Sequence, residues 1–227
     1  MTNPEAYLQC RCGACVIALA DPKVRARTQC FCLDCRQRGL ISEALSPENA
    51  LPDEVRNFER GVDLAYFSNS LIVNDSSQQL LEFSKLTAEG SNTTAMSSCC
   101  GTLMCGTHPL YEGNTISVNT DSCRVNVPSD IPVDAVVFTC DAPAEKAALI
   151  AEQSSIPVIF DVFGSLDSPV IQNFIAAVTA PMLRNGKIEG AVTFEGLCAT
   201  KTLTICNDFY IENINGKTTK SDRRGKS

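Results

Sequence analysis

Residues 28–39 read TQCFCLDCRQRG and place Cys30, Cys32 and Cys35 within six residues, with Arg36 directly after them. Three thiols are one fewer than the four ligands of a closed tetrahedral zinc site, and they are too crowded to be independent core residues. Catalytic zinc sites use three protein ligands and leave the fourth position to water or substrate. The segment therefore predicts a three-thiolate site with an open position. Arg36 either pairs there with a carboxylate of a bound molecule, or stabilises the thiolate-rich turn or is simply solvated.

The remaining cysteines predict a second metal site. The chain has 13 cysteines, and two further clusters consist of Cys10, Cys12 and Cys15, and of Cys99, Cys100 and Cys105. Cys10 and Cys12 form half of a site, because a tight turn points two nearby sulfurs at one ion. The other half is expected around Cys99 and Cys100, since a structural zinc takes four protein ligands.

Isolated residues of metal-binding type are interpreted as structural. Cysteines that stand alone in apolar stretches are predicted to be small buried hydrophobic residues; they are Cys123, Cys140, Cys198 and Cys206. The single histidine, His108, precedes Pro109 and is predicted to lie in a surface loop. Histidine therefore does not supply the missing ligands.

Composition limits the classes of partner. Of the 227 residues, 44% are hydrophobic, and the formal net charge is −7. An acidic chain argues against nucleic acid or an anionic membrane as the main partner. Residues 216–227 contain five lysines and arginines and one aspartate, and such a short basic end is typical of a disordered tail.

The sequence predicts a reduced compartment. No apolar run is long enough to cross a membrane, and the first ten residues lack the basic start and apolar stretch of a signal peptide. We therefore expect a cytoplasmic protein, with the nucleus as the alternative. Thiols stay reduced there, so clustered cysteines indicate metal rather than disulfides. Zinc is the expected cofactor, with two ions per chain.

Most of the chain reads as extended segments bounded by Gly, Asn, Asp and Pro, so a mainly β fold is predicted. Residues 1–143 are predicted as a β domain that carries the cysteine clusters, and residues 144–215 as a C-terminal α/β extension. Within the extension, residues 141–153 and 168–183 favour helices, and residues 191–214 favour a closing pair of strands. Residues 42–60 are polar and predict an inserted loop with one or two helical turns.

Four stretches together resemble a known family. They are CRCGAC at residues 10–15, CFCLDCR at 30–36, LAYFSNSLIV at 64–73 and CCGTLM at 99–104. They resemble the glutathione-dependent formaldehyde-activating enzymes, a family that includes centromere protein V, over about residues 6–143. The resemblance implies a zinc-containing β-tent fold. It also implies a carbon–sulfur lyase activity that joins formaldehyde to glutathione or splits S-hydroxymethylglutathione.

The family pattern assigns the cysteines to two zinc ions. It implies a catalytic zinc on Cys30, Cys32 and Cys35, and a structural zinc on Cys10, Cys12 and Cys100. The fourth structural ligand of the pattern falls at Ser97, whose hydroxyl rarely ionises. Cys99, Cys105 or no residue replaces it. Phe31 also departs from the pattern, because the family commonly has a histidine between the first two catalytic cysteines.

Two functions of different classes follow. The first is a zinc-dependent lyase that acts on an adduct of a small thiol such as glutathione. The alternative is a non-catalytic, zinc-stabilised module whose C-terminal extension binds a protein partner. A fourth position that opens to a cleft would favour the enzyme, and one that is capped by protein would favour the module.

Overall fold

The structure is a computed structural model that describes residues 6–126, 131–182 and 189–206. Strands make up 28% and helices 31% of it, so the fold is mixed α/β with large β-sheets. The prediction of extensive β structure is confirmed, but it understated the helices. The predicted basic tail, residues 216–227, lies outside the described residues. None of the described helices has the length and the apolar character needed to span a membrane.

Within the described residues, thirteen strands form two sheets. They are β1 (Tyr7–Gln9), β2 (Val16–Leu19), β3 (Ala26–Cys30), β4 (Val62–Ser68), β5 (Leu71–Ile72), β6 (Leu81–Lys85), β7 (Thr93–Ser97), β8 (Leu103–Thr107), β9 (Thr115–Asn119), β10 (Arg124–Asn126), β11 (Ala135–Val137), β12 (Val158–Ile159) and β13 (Leu203–Ile205). The smaller sheet has the order β10-β1-β2-β5, and the larger one β12-β11-β3-β4-β9-β8-β7-β6-β13. Pairing is antiparallel except where β11 joins β3 and β12 and where β13 joins β6.

Six α-helices connect or cover the strands in the part of the chain that the structure describes. They are α1 (Leu33–Leu45), α2 (Asp53–Arg56), α3 (Asp75–Gln79), α4 (Ala144–Gln153), α5 (Pro169–Thr179) and α6 (Phe194–Cys198). Helices α4 and α5 confirm the two helices predicted in the extension. A 3-10 turn over Pro47–Asn49 and the short α2 account for the helical turns expected in residues 42–60.

Helix α1, the longest among the described residues, was not predicted, and its last turn extends into residues 42–60, which were expected to form a loop with one or two helical turns. Its buried residues include the polar Arg36, Gln37 and Ser42, so the sequence shows no apolar stripe at helical spacing. The helix forms because Cys32 caps its first turn and because tertiary contacts pair its polar side chains.

The prediction of a closing pair of strands over residues 191–214 was also partly wrong. Residues of the expected first strand form α6, which begins after Thr193, whose hydroxyl accepts a hydrogen bond from the Gly196 N–H. Phe194 and Leu197 are both buried on this helix, and that spacing of three fits a helix. Only β13 is a strand here, and residues 207–214 lie outside the described residues.

Two main cores lie on opposite faces of the larger sheet. Along β4, Ala65 and Phe67 belong to one core, while Leu64 and Tyr66 belong to the other, as expected from the two-residue period of a strand. The first core includes Cys10 and Cys15 and receives Phe194 and Leu197 from α6. The second includes Cys30 and Cys32 and receives Ile171 and Val178 from α5. Residues after 143 thus contribute to both cores.

Candidate metal centres

The structure brings Cys10, Cys12, Cys99 and Cys100 together, and we call them the four-cysteine cluster. Cys10 follows β1, and the turn after it closes through a hydrogen bond from the Gly13 N–H to the Cys10 carbonyl at 3.0 Å. Gly13 has a φ of +86°, in the left-handed region that glycine adopts without strain. Cys99 and Cys100 lie in the turn between β7 and β8.

The sulfur positions fit a tetrahedral metal ion. All four Sγ atoms lie within 4.8 Å of one another. The Sγ–Sγ separations are 3.5 Å for Cys10–Cys12, 3.7 Å for Cys10–Cys99, 3.4 Å for Cys12–Cys99 and 4.0 Å for Cys99–Cys100. A regular tetrahedron with zinc–sulfur bonds of 2.3 Å has edges of about 3.8 Å. The cluster can therefore bind a metal ion and is compatible with zinc.

Cys99 occupies the position that the sequence left open. Although it is adjacent to Cys100, the turn directs both thiols toward Cys10 and Cys12. Ser97 lies beside the cluster, with its Oγ 3.4 Å from the Cys100 Sγ, and it also accepts a hydrogen bond from the Thr102 N–H. Cys105 is buried in the first core and is not part of the cluster.

The surroundings of Cys100 favour its ionised form. Burial raises the pKa of this thiol, but hydrogen bonds with Ser97 and Thr102 outweigh burial and lower the pKa to about 5. A cysteine binds a metal ion as a thiolate. Because the lowered pKa leaves Cys100 ionised at neutral pH, this side chain can bind a cation without losing a proton first.

The inserted segment supports this cluster. Asn49, which is buried, donates from Nδ2 to the Cys100 carbonyl at 2.7 Å and to the Ser42 carbonyl at 3.1 Å. Ser42 in turn donates to the Gly101 carbonyl at 2.6 Å. Ser42 and Asn49, which lie in the inserted segment, therefore hold the turn that carries Cys99 and Cys100. No pattern in the sequence indicated this role.

The second site consists of Cys30, Cys32 and Cys35, which we call the three-cysteine cluster; their Sγ atoms also lie within 4.8 Å of one another. Cys30 ends β3, Cys32 is the N-cap of α1, and Cys35 lies in the first helical turn. The Cys35 N–H donates to the Cys32 Sγ at 3.3 Å. In the part of the chain that the structure describes, no other histidine, cysteine, aspartate or glutamate joins this group.

Electrostatics favour a thiolate at Cys35. Hydrogen bonds from Cys30 and then Cys32 hold the pKa of Cys35 well below its ordinary value, against the effect of burial. The partial positive charge at the start of α1 acts in the same direction. The thiols that donate to Cys35 have raised pKa values. The three-cysteine cluster can bind a cation, whose positive charge would offset the negative charge of three thiolates.

Aromatic residues belong to the core that contains the three-cysteine cluster. Tyr66 and Tyr111 belong to the same core, and Tyr66 stacks edge-on against Tyr111 and Phe174 with centroid distances of 5.8 and 5.0 Å. Burial raises the pKa of both tyrosines, and nearby Cys30 and Cys35 raise it further. Their hydroxyls therefore stay protonated beside the thiols. Sequence reasoning missed both residues, although Tyr66 lies within the LAYFSNSLIV stretch.

Access to the three-cysteine cluster is narrow. Cys30 and Cys32 are 3% and 9% exposed, and only Cys35 is half-buried. A cavity of about 590 Å³ is lined by Gln29 and Phe31, which flank Cys30, but neither this cavity nor another of about 490 Å³ is lined by the three cysteines. An incoming molecule would have to approach past Cys35.

Arg36 points away from solvent. It is 5% exposed, its guanidinium lies 3.5 Å from the centre of the Phe58 ring, and its Nη2 donates to the Arg56 carbonyl at 2.8 Å. Its Nε and Nη1 have no hydrogen-bond partner. Burial, and then the charge of Arg56, lower its pKa to about 10. Its pairing with a substrate carboxylate stays a prediction.

Neither models of known protein families, nor curated proteins, nor solved structures gave a match to this chain. The resemblance to the formaldehyde-activating enzymes therefore rests on the sequence motifs, and membership of that family stays a prediction.

The backbone near Cys30 leaves no room for a side chain at Gly61. A Cβ atom there would lie 2.7 Å from the Cys30 nitrogen and 2.7 Å from the Gln29 carbonyl carbon. We expect Gly61→Ala to displace the end of β3, to lower the free energy of unfolding by about 1–3 kcal/mol, and to weaken metal binding at the three-cysteine cluster alone. Denaturant unfolding and metal stoichiometry measure the two effects.

The matched control is Gly196→Ala in α6, where the new Cβ would make an ordinary 3.4 Å contact with Thr193 Oγ1. Alanine is also the better helix former, so this variant should be at least as stable as the parent protein. Full metal content and unchanged stability in Gly61→Ala would contradict the expected displacement of Cys30.

Proposed function

We propose that this protein binds two zinc ions, one in each cysteine cluster, and acts as a carbon–sulfur lyase on an adduct of a small thiol such as S-hydroxymethylglutathione. The observation that carries the proposal is the three-cysteine cluster, which offers three thiols and no fourth ligand of metal-binding type among the described residues. The four-cysteine cluster would be structural because it supplies a complete ligand set. We also propose that the protein has the β-tent fold and is located in the cytoplasm.

For the addition of a thiol to an aldehyde, the main contribution of the protein would be to orient the two reactants. Addition joins the thiol sulfur to the aldehyde carbon, and the thiol proton ends on the aldehyde oxygen. Zinc on the three-cysteine cluster would supply a Lewis acid with a free position and lower the pKa of the incoming thiol. Tyr66 and Tyr111, which are protonated and lie in the same core, would donate hydrogen bonds to the oxygen as it gains negative charge.

Binding of glutathione is expected to require its free sulfur. On the zinc-loaded protein, S-methylglutathione should bind at least about tenfold more weakly than glutathione, because a thioether cannot provide a thiolate. Affinity for glutathione should rise with pH, since the thiolate fraction of the ligand grows as pH approaches the thiol pKa. Calorimetric titration with both compounds at several pH values measures this difference.

The control is the same titration on Cys32→Ser, which removes one ligand of the three-cysteine cluster and should abolish the difference between the two compounds. Equal affinity of both compounds for the parent protein would reject the proposed role of the open position. Zinc binding without any glutathione binding would leave the metal sites in place and reject the lyase.

A non-catalytic, zinc-stabilised protein-interaction module is the second function that an observation favours. The narrow access to the three-cysteine cluster is one such observation. Another is that the extension exposes large apolar side chains after β12: Phe160 is 64%, Phe163 58% and Leu166 42% exposed. Zinc binding combined with no affinity for either thiol would make this module the better-supported function.

A further inference from the structure

We propose that Cys12 and Cys99 form a disulfide when the protein meets a peroxide, and that this bond replaces the metal ion of the four-cysteine cluster. The inference does not depend on lyase activity. It concerns a modification of two particular side chains, and it rests on their exposure and separation.

Within the cluster, these two thiols are the accessible ones. Cys12 and Cys99 are exposed, whereas Cys10 is fully buried and Cys100 is half-buried. The Cys12 and Cys99 sulfurs lie 3.4 Å apart, closer than those of Cys10 and Cys12 at 3.5 Å or of Cys10 and Cys99 at 3.7 Å. A disulfide needs about 2.05 Å, so the sulfurs must approach by about 1.4 Å. Exposed side chains at the tips of two turns can make that movement by a change of rotamer.

The alternative pairs fit less well. Cys10 and Cys12 are separated by one residue, and Cys99 and Cys100 are adjacent, so either bond would close a very small ring. Cys10 and Cys99 lie 3.7 Å apart, but the Cys10 sulfur is buried and already accepts a hydrogen bond from the Cys15 N–H at 3.2 Å. The pair of Cys12 and Cys99 therefore joins two separate turns without disturbing the core.

The reaction is balanced with hydrogen peroxide as the oxidant. One sulfur takes an oxygen atom from the peroxide, becomes a sulfenic acid and releases one water molecule. The other sulfur attacks this sulfenic acid, forms the sulfur–sulfur bond and releases a second water molecule. In total the two sulfurs lose two electrons and the peroxide oxygen–oxygen bond is broken. Where the sulfurs are metal-bound thiolates, the two protons that complete the water molecules come from solvent, and the metal ion leaves as the free cation.

The three-cysteine cluster should resist the same treatment. Cys30 and Cys32 are almost fully buried, and Cys35 is only half-buried. Oxidation follows the accessibility of a thiol. A limited amount of peroxide should therefore remove the metal ion from the four-cysteine cluster and leave the three-cysteine cluster loaded.

Peptide mapping of the full-length, zinc-loaded protein tests the proposal. The protein is titrated with hydrogen peroxide, free thiols are blocked under denaturing conditions, and the chain is cut with trypsin. Cleavage after Arg11 separates Cys10 from Cys12, and the next sites place Cys12 on residues 12–23 and Cys99 on residues 86–124. A linked pair of these two peptides is expected, together with release of one of the two zinc ions.

Two variants identify the sulfurs involved. Cys15→Ser leaves Cys12 as the only thiol on residues 12–23 and should still give the linked pair, whereas Cys99→Ser should not. Linkage of residues 86–124 to the peptide of residues 1–11 would assign the bond to Cys10 and overturn the proposal. Oxidation of Cys12 and Cys99 to sulfinic acids without a link, or earlier oxidation of residues 30–35 in the parent protein, would also overturn it.

Discussion

Cys12→Ser is expected to remove one metal ion and to lower the free energy of unfolding by about 4 kcal/mol or more, as loss of a structural metal does. The four-cysteine cluster joins the turn after β1 to the turn between β7 and β8, which are separated by 87 residues in sequence. Without the metal ion, only weak thiol contacts connect the two turns, such as the one between Cys12 and Cys99 at 3.4 Å. The two turns would then separate.

Denaturant unfolding with and without added zinc measures the effect. The parent protein should become more stable as zinc is added, and Cys12→Ser should lose most of that response. Cys198→Ser is the matched control, because Cys198 is half-buried and belongs to neither cluster. If Cys12→Ser responds to zinc as strongly as the parent protein does, the four-cysteine cluster is not a structural metal site.

Cys32→Ser is expected to abolish metal binding at the three-cysteine cluster while α1 still forms. Serine is among the best N-cap residues, so its hydroxyl can accept the hydrogen bond that the Cys32 sulfur now accepts from the Cys35 N–H. As a ligand it fails, because a hydroxyl rarely ionises. The zinc affinity of this site should fall by about 100-fold or more, and glutathione binding should fall with it.

Zinc competition with a chelator gives the affinity, and amide hydrogen exchange reports whether α1 remains folded. Cys30→Ser is the informative comparison, since Cys30 ends β3, is 3% exposed and caps no helix. It should lose both the metal ion and part of the stability. Loss of α1 protection in Cys32→Ser would show that the metal ion, rather than the cap, holds the helix in place.

The three-cysteine cluster was predictable because its ligands are local in sequence. Cys30, Cys32 and Cys35 lie within six residues, and a strand end followed by a helical cap brings three such side chains together without any distant contact. The structure confirmed that grouping. The four-cysteine cluster was predicted only as two halves, since the residue opposite Cys10 and Cys12 depends on how the β7–β8 turn is folded.

By itself, the sequence determined which thiols could bind a metal ion, how they are spaced, and that His108 is the single histidine. Tertiary structure decided the rest. It selected Cys99 over Cys105, placed Tyr66 and Tyr111 beside the thiols, and turned Arg36 onto Phe58. The physical reason is that these outcomes depend on burial and on partners distant in sequence, and neither is encoded in the local pattern of residues.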